Sequence, residues 1–227
     1  MKKAVISGDI VAYTSLSTEE KASLEKALLN FFQELQVDYN AYARLVKGDY
    51  LECVVSPEDA MRVALLIKTF IKSLAVELDE TRDKRIKYFS VYGIRLAIGV
   101  GNLDRFDPAK GIIDGEAIYY SGRLLNEQHT HNKQKIHIKQ SLFFMSGDED
   151  MNANFDALFS LTDTLLNKAS AKQSKVIFYK LQHKTEGEIA EILSVSRSVV
   201  NRQSRSVGWY ALKKAVNYYE KIMKGDE

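Results

Sequence analysis

Hydrophobic and polar residues alternate along the chain in blocks whose period predicts a succession of strands and helices. Residues 2–8 form a short, β-branched apolar run that ends in glycine, as a buried strand does. From Leu24 to Leu35 the apolar residues recur every three or four positions, which is the period of a helix. Ser17 and Glu20 predict its start, because serine and glutamate at this spacing form a capping box.

Two more strands and a second helix follow. Residues 41–47 and 50–55 are strand-like runs, separated by a turn at Gly48 and Asp49. Both turn residues tolerate the positive φ of a hairpin. Pro57 suits the first turn of a helix, and apolar residues at helical spacing follow it. This segment therefore predicts a β-hairpin and then a helix.

The remaining elements of the N-terminal part complete a mixed fold. Residues 80–88 are charged and predict a loop, and a helix is predicted over residues 115–128. Strands are predicted over residues 92–101 and within residues 135–145. The order β-α-β-β-α-β, followed by α-β, predicts an α+β fold with a ferredoxin-like core in which helices face a sheet. We assign residues 1–147 to this α/β domain.

A linker over residues 148–170 is predicted to connect the α/β domain to an all-helical domain over residues 171–227. The linker begins with the polar stretch 148–154 and continues as a connecting helix over residues 155–168. Three helices separated by short turns then predict a compact helical unit.

The C-terminal domain has the pattern of a helix-turn-helix. Thr185 and Glu188 form a second capping box, and Ser196 follows a turn as the cap of the next helix. Val199 and Val200 predict the inner face of that helix. Residues at its start are placed to reach base edges in the major groove of DNA. Its outward polar residues are the predicted DNA-binding set: Arg197, Ser198, Asn201, Arg202 and Arg205.

The segment EIAEILSVSRSVVNR resembles the helix-turn-helix of many bacterial regulators and sigma-factor-type domains. The arrangement makes DNA the predicted partner, with Lys184 and Lys213 contacting phosphates. The alternative is a helical bundle that only dimerises the protein or docks on the first domain. Four aromatic residues at helical spacing near the end of the chain are interpreted as packing residues: Trp209, Tyr210, Tyr218 and Tyr219.

Charge and cysteine content refine this picture. The net charge of +2 conceals a basic C-terminal part, since residues 171–227 hold 11 Lys and Arg against 6 Asp and Glu. Segregated charge of this kind favours contact between that part and a polyanion. Cys53 is the single cysteine, so an internal disulfide is excluded and a reducing, cytoplasmic location is predicted. No apolar run approaches the roughly 20 residues that a membrane span needs.

Three residues of the first domain are candidates for phosphate chemistry. Asp9 follows the first strand, and Asp49 lies at the tip of the hairpin. In a ferredoxin-like core these strands are neighbours, so we expect the carboxylates to meet at one sheet edge. Paired carboxylates suit hard divalent cations such as Mg²⁺ or Mn²⁺. Arg123, about two turns into a helix, is the candidate for stabilising charge on a phosphoryl group.

Each candidate also has an ordinary structural interpretation. Asp9 can be a turn or capping residue, Asp49 an ordinary hairpin residue, and Arg123 a surface residue in a salt bridge. Three histidines lack the i, i+4 spacing of a zinc site, so no such site is predicted at His129, His131 and His137.

Residues 3–145 resemble class III nucleotide cyclases in three motifs taken in order. GDIVAYTSL resembles their first metal motif, KGDYLECVV their hairpin with the second metal aspartate, and GEAIYYSGRL a helix with a transition-state asparagine and arginine. The resemblance implies metal sites at Asp9 and Asp49, with the Ile10 carbonyl as a further ligand. It also implies a phosphate role for Arg123 and a homodimer.

The sequence departs from the cyclase pattern at three positions. Tyr119 stands where cyclases place the asparagine, and Leu45 and Ile112 lie near their base-selecting polar positions. Neither aliphatic side chain can hydrogen-bond a purine. DGEAIYYSGR instead resembles the SatD-like proteins. These departures argue against cyclisation more than against nucleotide or metal binding at this site.

Three functional hypotheses follow. The leading one is a homodimeric transcriptional regulator whose cyclase-like domain binds a nucleotide or similar phosphate ligand through Mg²⁺ and alters the geometry of the helix-turn-helix units. The second is an active metal-dependent nucleotide cyclase, a phosphorus–oxygen lyase, positioned by its basic tail. The third is a metal-free domain that only dimerises.

Overall fold

The computed structural model of the protein describes residues 1–78, 83–127 and 138–225. It contains six strands: β1 (Lys2–Ile10), β2 (Tyr42–Val46), β3 (Tyr50–Val55), β4 (Ile94–Asp107), β5 (Ile112–Gly115) and β6 (Leu142–Ser146). The helices of the first half are α1 (Thr18–Tyr39), α2 (Ala60–Ser73), α3 (Ile86–Tyr92) and α4 (Glu116–Glu127). Those of the second half are α5 (Glu149–Lys168), α6 (Ala171–Leu181), α7 (Glu186–Ile192), α8 (Arg197–Val207) and α9 (Trp209–Lys224).

The strands form one mixed sheet. Its order is β2-β3-β1-β4-β5, and each neighbouring pair is antiparallel. Strand β6 pairs with β4 in the parallel direction. The predicted α+β class is therefore confirmed. The predicted capping box at the start of α1 is confirmed as well, since the Ser17 side chain accepts from the Glu20 N–H and the Glu20 carboxylate from the Ser17 N–H.

Alternating residues of β1 face two different layers of helices. Ala4, Ile6 and Ile10 belong to the main core beneath α1 and α2. On the other face, Val5 packs with Ala117 of α4. Because side chains alternate along a strand, Asp9 belongs to the α4 face of the sheet.

Helix α4 lies very close to β4. A Cβ atom on Gly99 would lie 2.1 Å from the Ala117 carbonyl oxygen and 2.6 Å from the Ser121 nitrogen. The Ser121 hydroxyl in turn hydrogen-bonds the Ser7 hydroxyl of β1 at 2.8 Å. The absence of a side chain at Gly99 therefore sets the distance between this helix and the sheet.

Helix α2 is enclosed between the sheet and the C-terminal helices. Its Phe70 ring lies 4.4 Å from the ring of Phe31 in α1 and 5.4 Å from the ring of Phe178 in α6, measured between centroids. The Arg62 guanidinium donates to the Leu181 carbonyl at 3.1 Å and to Glu220 of α9 at 2.7 Å. One continuous hydrophobic core thus runs from the sheet into α6 and α9.

Two buried lysines of α2 bind the region around α5. The Lys68 ammonium donates to the Ser141 hydroxyl at 2.8 Å and lies 3.4 Å from the Asp163 carboxylate. The Lys72 ammonium donates to the Leu166 carbonyl at 2.5 Å, near the end of α5. Burial, reinforced by the neighbouring charge of Lys68, lowers the pKa of Lys72 to about 7. These contacts attach α5 to α2 and to the start of β6.

Two segments that the sequence predicted as irregular are helical in the structure. Within the charged segment that predicted a loop, Ile86 begins α3, and Ile86 and Phe89 are buried. The polar stretch predicted as a link is helical from Glu149 onward, because the Asp148 side chain accepts from the Met151 N–H and caps α5. Polar residues at a helix start satisfy free N–H groups, and this stretch is therefore a cap and first turn rather than a loop.

Among the described residues, no helix combines the length and apolar composition that crossing a membrane requires. Cys53 is buried in β3, as its place in a predicted strand indicates, and burial raises the pKa of its thiol to about 12. The three histidines considered for zinc lie outside the described residues.

Candidate functional site

The strand register brings Asp9 and Asp49 to the same end of the sheet. Asp9 pairs with Tyr50 across β1 and β3, and the Ile10 N–H donates to the Asp49 carbonyl at 2.8 Å. Lys47 and Gly48 have φ values of 60° and 76° and form the hairpin turn. The backbones of the two aspartates are therefore adjacent, and the meeting of their carboxylates stays a prediction.

Asp9 has a partner that the sequence analysis missed. Arg95 stands opposite Asp9 on β4, and its guanidinium donates to the Asp9 carboxylate from Nε at 3.1 Å and also from Nη2. Only 8% of Arg95 is exposed. A buried guanidinium therefore balances the charge of Asp9. The signal that could have identified this pairing is a lone arginine inside an apolar strand.

The hairpin that carries Asp49 packs against a tyrosine of the first motif. The Tyr13 hydroxyl donates to the Glu25 carboxylate, and a Cβ on Gly48 would lie 3.2 Å from that hydroxyl oxygen. Burial, then the hydrogen bond to Glu25, raises the pKa of Tyr13 to about 12. Tyr13 thus lies beside Gly48 of the hairpin as a neutral phenol that donates its hydrogen bond to Glu25.

In this structure the Asp9 carboxylate is paired with a guanidinium. Within residues 1–78, 83–127 and 138–225, no three His, Cys, Asp or Glu side chains come together to hold a metal ion. The Ile10 N–H pairs with the hairpin, and a metal role for the Ile10 carbonyl stays a prediction. A cation at this edge would have to displace the guanidinium from Asp9.

Arg123 and Tyr119 lie on the outer face of α4. Its inner stripe is Ala117, Ser121 and Leu125, all buried against the sheet. The Arg123 Nε lies 2.6 Å from the Glu127 carboxylate, and Tyr119 is 61% exposed. Within one chain the structure therefore does not bring these residues to Asp9 and Asp49. Arg123 has the surface salt bridge that the ordinary interpretation predicted.

Leu45 and Ile112 do not converge on Asp9 either. Leu45 pairs with Leu51 and packs against the main core, on the face of the sheet opposite Asp9. Ile112 pairs with Asp107 in the β4–β5 hairpin. Side chains alternate between the two faces along β2. Arg44, one position before Leu45, therefore lies on the other face, where its guanidinium donates to Glu52 at 2.8 Å.

A second candidate site lies on α7 and α8. The capping box at the start of α7 is confirmed, since the Thr185 hydroxyl accepts from the Glu188 N–H and the Glu188 carboxylate from the Thr185 N–H. A small core of Val176, Ile189 and Val200 joins α6, α7 and α8. Ser196 occupies the N-cap position of α8, but its hydroxyl pairs with the Ser198 hydroxyl at 2.9 Å instead of capping the backbone.

The outer face of α8 is polar and uncovered. Val200, Ser204 and Val207 are buried on its inner face, whereas Val199 is only half-buried. All members of the predicted DNA-binding set are exposed: Arg197, Ser198, Asn201, Arg202 and Arg205.

An acidic residue of α7 borders this face. Glu186 accepts hydrogen bonds from Lys180 at 3.1 Å and from the Asn201 amide at 3.2 Å, and it lies 3.9 Å from Arg197. The hydrogen bond from Lys180 lowers the pKa of Glu186. Glu186 therefore stays ionised and orients the side of α8 that carries Asn201.

The aromatic residues of α9 divide into two pairs. Tyr219 is fully buried, with its ring 5.0 Å from that of Phe155, and Trp209 packs against the main core. Tyr210 and Tyr218 are 71% and 47% exposed. The packing interpretation is wrong for Tyr210, which lies outside the core stripe of the helix. The half-exposed Tyr218 ring still packs edge-on against Phe155, with the ring centroids 6.3 Å apart.

No family model matches the sequence, and no curated protein is significantly similar to it. Among solved structures, the chain is similar to a bacterial light-regulated adenylyl cyclase, with 19% identity and a TM-score of 0.43 over 63% of this chain and 43% of that chain. It is also similar to the guanylyl cyclase Cya2, with 12% identity and a TM-score of 0.34 over 63% of this chain and 74% of that chain. TM-scores of this size do not establish a common fold.

Proposed function

We propose that the protein binds double-stranded DNA through a helix-turn-helix formed by α7 and α8, with α8 lying in the major groove. The main support for this proposal is the outer face of α8, where five polar or cationic side chains are exposed opposite a buried stripe. The major groove admits an α-helix, and arginine and asparagine are the side chains that pair best with guanine and adenine edges.

The distribution of charge supports this proposal. Acidic residues outnumber basic ones in the first 170 residues, whereas basic residues prevail after them. Contacts with phosphates supply most of the affinity for DNA, and base contacts supply the sequence preference. A basic C-terminal part with an exposed polar helix meets both requirements.

Docking of the C-terminal helices on the α/β part does not compete with DNA binding. The docked surfaces are the Phe178 side of α6 and the Tyr219 side of α9, which share the main core. The outer face of α8 remains exposed. Docking on the α/β part therefore involves α6 and α9, while the outer face of α8 stays accessible to a partner.

The test is Arg202→Ala in the full chain. Arg202 is exposed on α8, and loss of a bidentate arginine–guanine contact costs about 1–3 kcal/mol, or roughly 5- to 150-fold in Kd. Binding is measured by fluorescence anisotropy on duplexes selected from a random-sequence library at fixed salt. Arg105→Ala, which removes an exposed arginine from β4, is the matched control and should leave Kd unchanged. Equal affinities of wild type and Arg202→Ala would contradict the proposal.

For the α/β part we propose a ferredoxin-like, cyclase-like core. We propose that this core has a regulatory role and does not cyclise nucleotides. The support for the absence of cyclisation is the Arg95–Asp9 pairing. Ligand binding by this part, its use of Mg²⁺ or Mn²⁺, and homodimerisation stay predictions from the sequence.

We expect no cyclic nucleotide from the full chain with Mn²⁺ and each of the four nucleoside triphosphates. The reason is that Asp9 already has a buried counter-ion. Chromatography of the products provides the measurement. Product formation that disappears in Asp9→Asn would instead favour the cyclase alternative.

A further inference from the structure

Asn201 lies on the exposed face of α8, and its side-chain amide is bound by a carboxylate of the neighbouring helix. The amide nitrogen donates to the two carboxylate oxygens of Glu186, the first residue of α7, at 3.2 and 3.4 Å. Asn201 belongs to the N-terminal half of α8, which the proposed docking places against base edges. One amide group of the predicted DNA-binding set is therefore already bonded within the protein.

Glu186 is held in place, and in its ionised form, by two cationic groups. The Lys180 ammonium of α6 donates to the same carboxylate at 3.1 Å, and this hydrogen bond lowers the pKa of Glu186. The Arg197 guanidinium adds a second positive charge at 3.9 Å. An ionised carboxylate can only accept hydrogen bonds, so the end of the Asn201 amide that faces it has to be the donor.

The ionised carboxylate thereby fixes the orientation of the Asn201 amide. A side-chain amide carries a donor nitrogen and an acceptor oxygen, and either end can face a neighbour until a partner selects one. Beside Glu186 the nitrogen is selected, and the oxygen is directed away from the carboxylate. An unconstrained asparagine pairs with adenine through both ends at once. Asn201 instead offers a base edge its acceptor.

We propose that Glu186 is a specificity-determining positioning residue, which makes Asn201 a hydrogen-bond acceptor toward DNA. The inference rests on the proposed function of α8. In the major groove adenine and cytosine present an amino group, whereas guanine and thymine present oxygen acceptors. The acceptor of Asn201 therefore selects adenine or cytosine at one position of the binding site and excludes guanine and thymine.

The experiment compares base preference at the single position that Asn201 contacts. That position is the one where Asn201→Ala relaxes the sequence preference of the full chain, with duplexes selected from a random-sequence library at fixed salt. For the wild-type chain we expect Kd to be roughly fivefold or more lower with adenine or cytosine there than with guanine or thymine. In Glu186→Gln the Asn201 amide can present either end, so this ratio of Kd values falls toward unity.

Two further variants separate the orientation of Asn201 from charge and folding. Glu191→Gln removes the same negative charge from an exposed position of α7 and should leave the base preference unchanged. The double variant Glu186→Gln/Asn201→Asp restores a side chain that only accepts, so the preference for adenine or cytosine returns. A general effect on charge or folding would instead change Kd equally for all four bases.

The outcomes distinguish this inference from the proposal for α8. An unchanged base preference in Glu186→Gln, or a wild-type preference for guanine or thymine at this position, overturns the inference. If Asn201→Ala relaxes no position while Arg202→Ala still weakens binding, α8 contacts DNA without Asn201 and only the inference is wrong. If the wild-type chain binds no duplex, both proposals fail.

Discussion

Asp163→Ala is expected to destabilise the protein by about 3–5 kcal/mol, the usual cost of leaving a buried charge without its partner. Asp163 is 2% exposed and accepts hydrogen bonds from the Ser141 N–H and hydroxyl, both at 2.7 Å, beside the Lys68 ammonium. Without it, Lys68 stays enclosed with an unbalanced charge. Burial already lowers the pKa of Lys68, and Asp163 is the group that opposes this shift. Urea denaturation followed by circular dichroism measures the loss.

The matched control for this prediction removes both charges. In Lys68→Met/Asp163→Leu the buried pair is replaced by apolar side chains of similar size, an exchange that is often neutral or stabilising. We therefore expect the double variant to recover most of the stability that Asp163→Ala loses. A double variant as unstable as the single one would mean that the hydrogen bonds to Ser141, and not the charge, hold α5 in place.

Gly99→Ala is expected to cost about 3 kcal/mol or more, because the new methyl group meets backbone atoms that cannot move by rotation. The Cβ would lie 2.1 Å from the Ala117 carbonyl oxygen, so α4 would have to shift away from β4. The Ser7–Ser121 hydrogen bond would be lost with that shift. Thermal unfolding measures the effect, and an unchanged Tm would contradict the close approach of helix and sheet.

Gly122→Ala, on the same helix, is the control for Gly99→Ala. A Cβ at Gly122 meets nothing within 4 Å, and the residue lies inside α4. Alanine in a helix interior is favoured over glycine by about 0.5–1 kcal/mol. We therefore expect Gly122→Ala to raise the Tm, so that two identical chemical changes give opposite results according to position.

The contacts around Asp163 bear on the regulatory proposal. α5 is attached to the sheet through Ser141 and to α2 through Lys68 and Lys72. The α8 surface is carried by helices that share a core with α2. A change in the α/β part therefore has a packed route to the proposed DNA-binding helices, whereas a flexible linker would provide none.

Local sequence patterns predicted correctly the features that depend only on residues close together in the sequence. The capping boxes at Ser17 and Thr185 formed as predicted, and so did the hairpin around Gly48, because these depend on residues only a few positions apart. The exposed face of α8 also followed from helical period alone. These features are properties of short segments, so the sequence determined them.

Tertiary structure decided the rest, because it depends on partners distant in sequence. The Asp9 carboxylate met Arg95, since β4 pairs beside β1. Arg62, Lys68 and Lys72 appear as ordinary charged residues in a helical sequence, yet each became a buried attachment for a helix of the second half of the chain. Buried polar groups must find hydrogen-bond partners, and only the packed chain determines which ones are within reach.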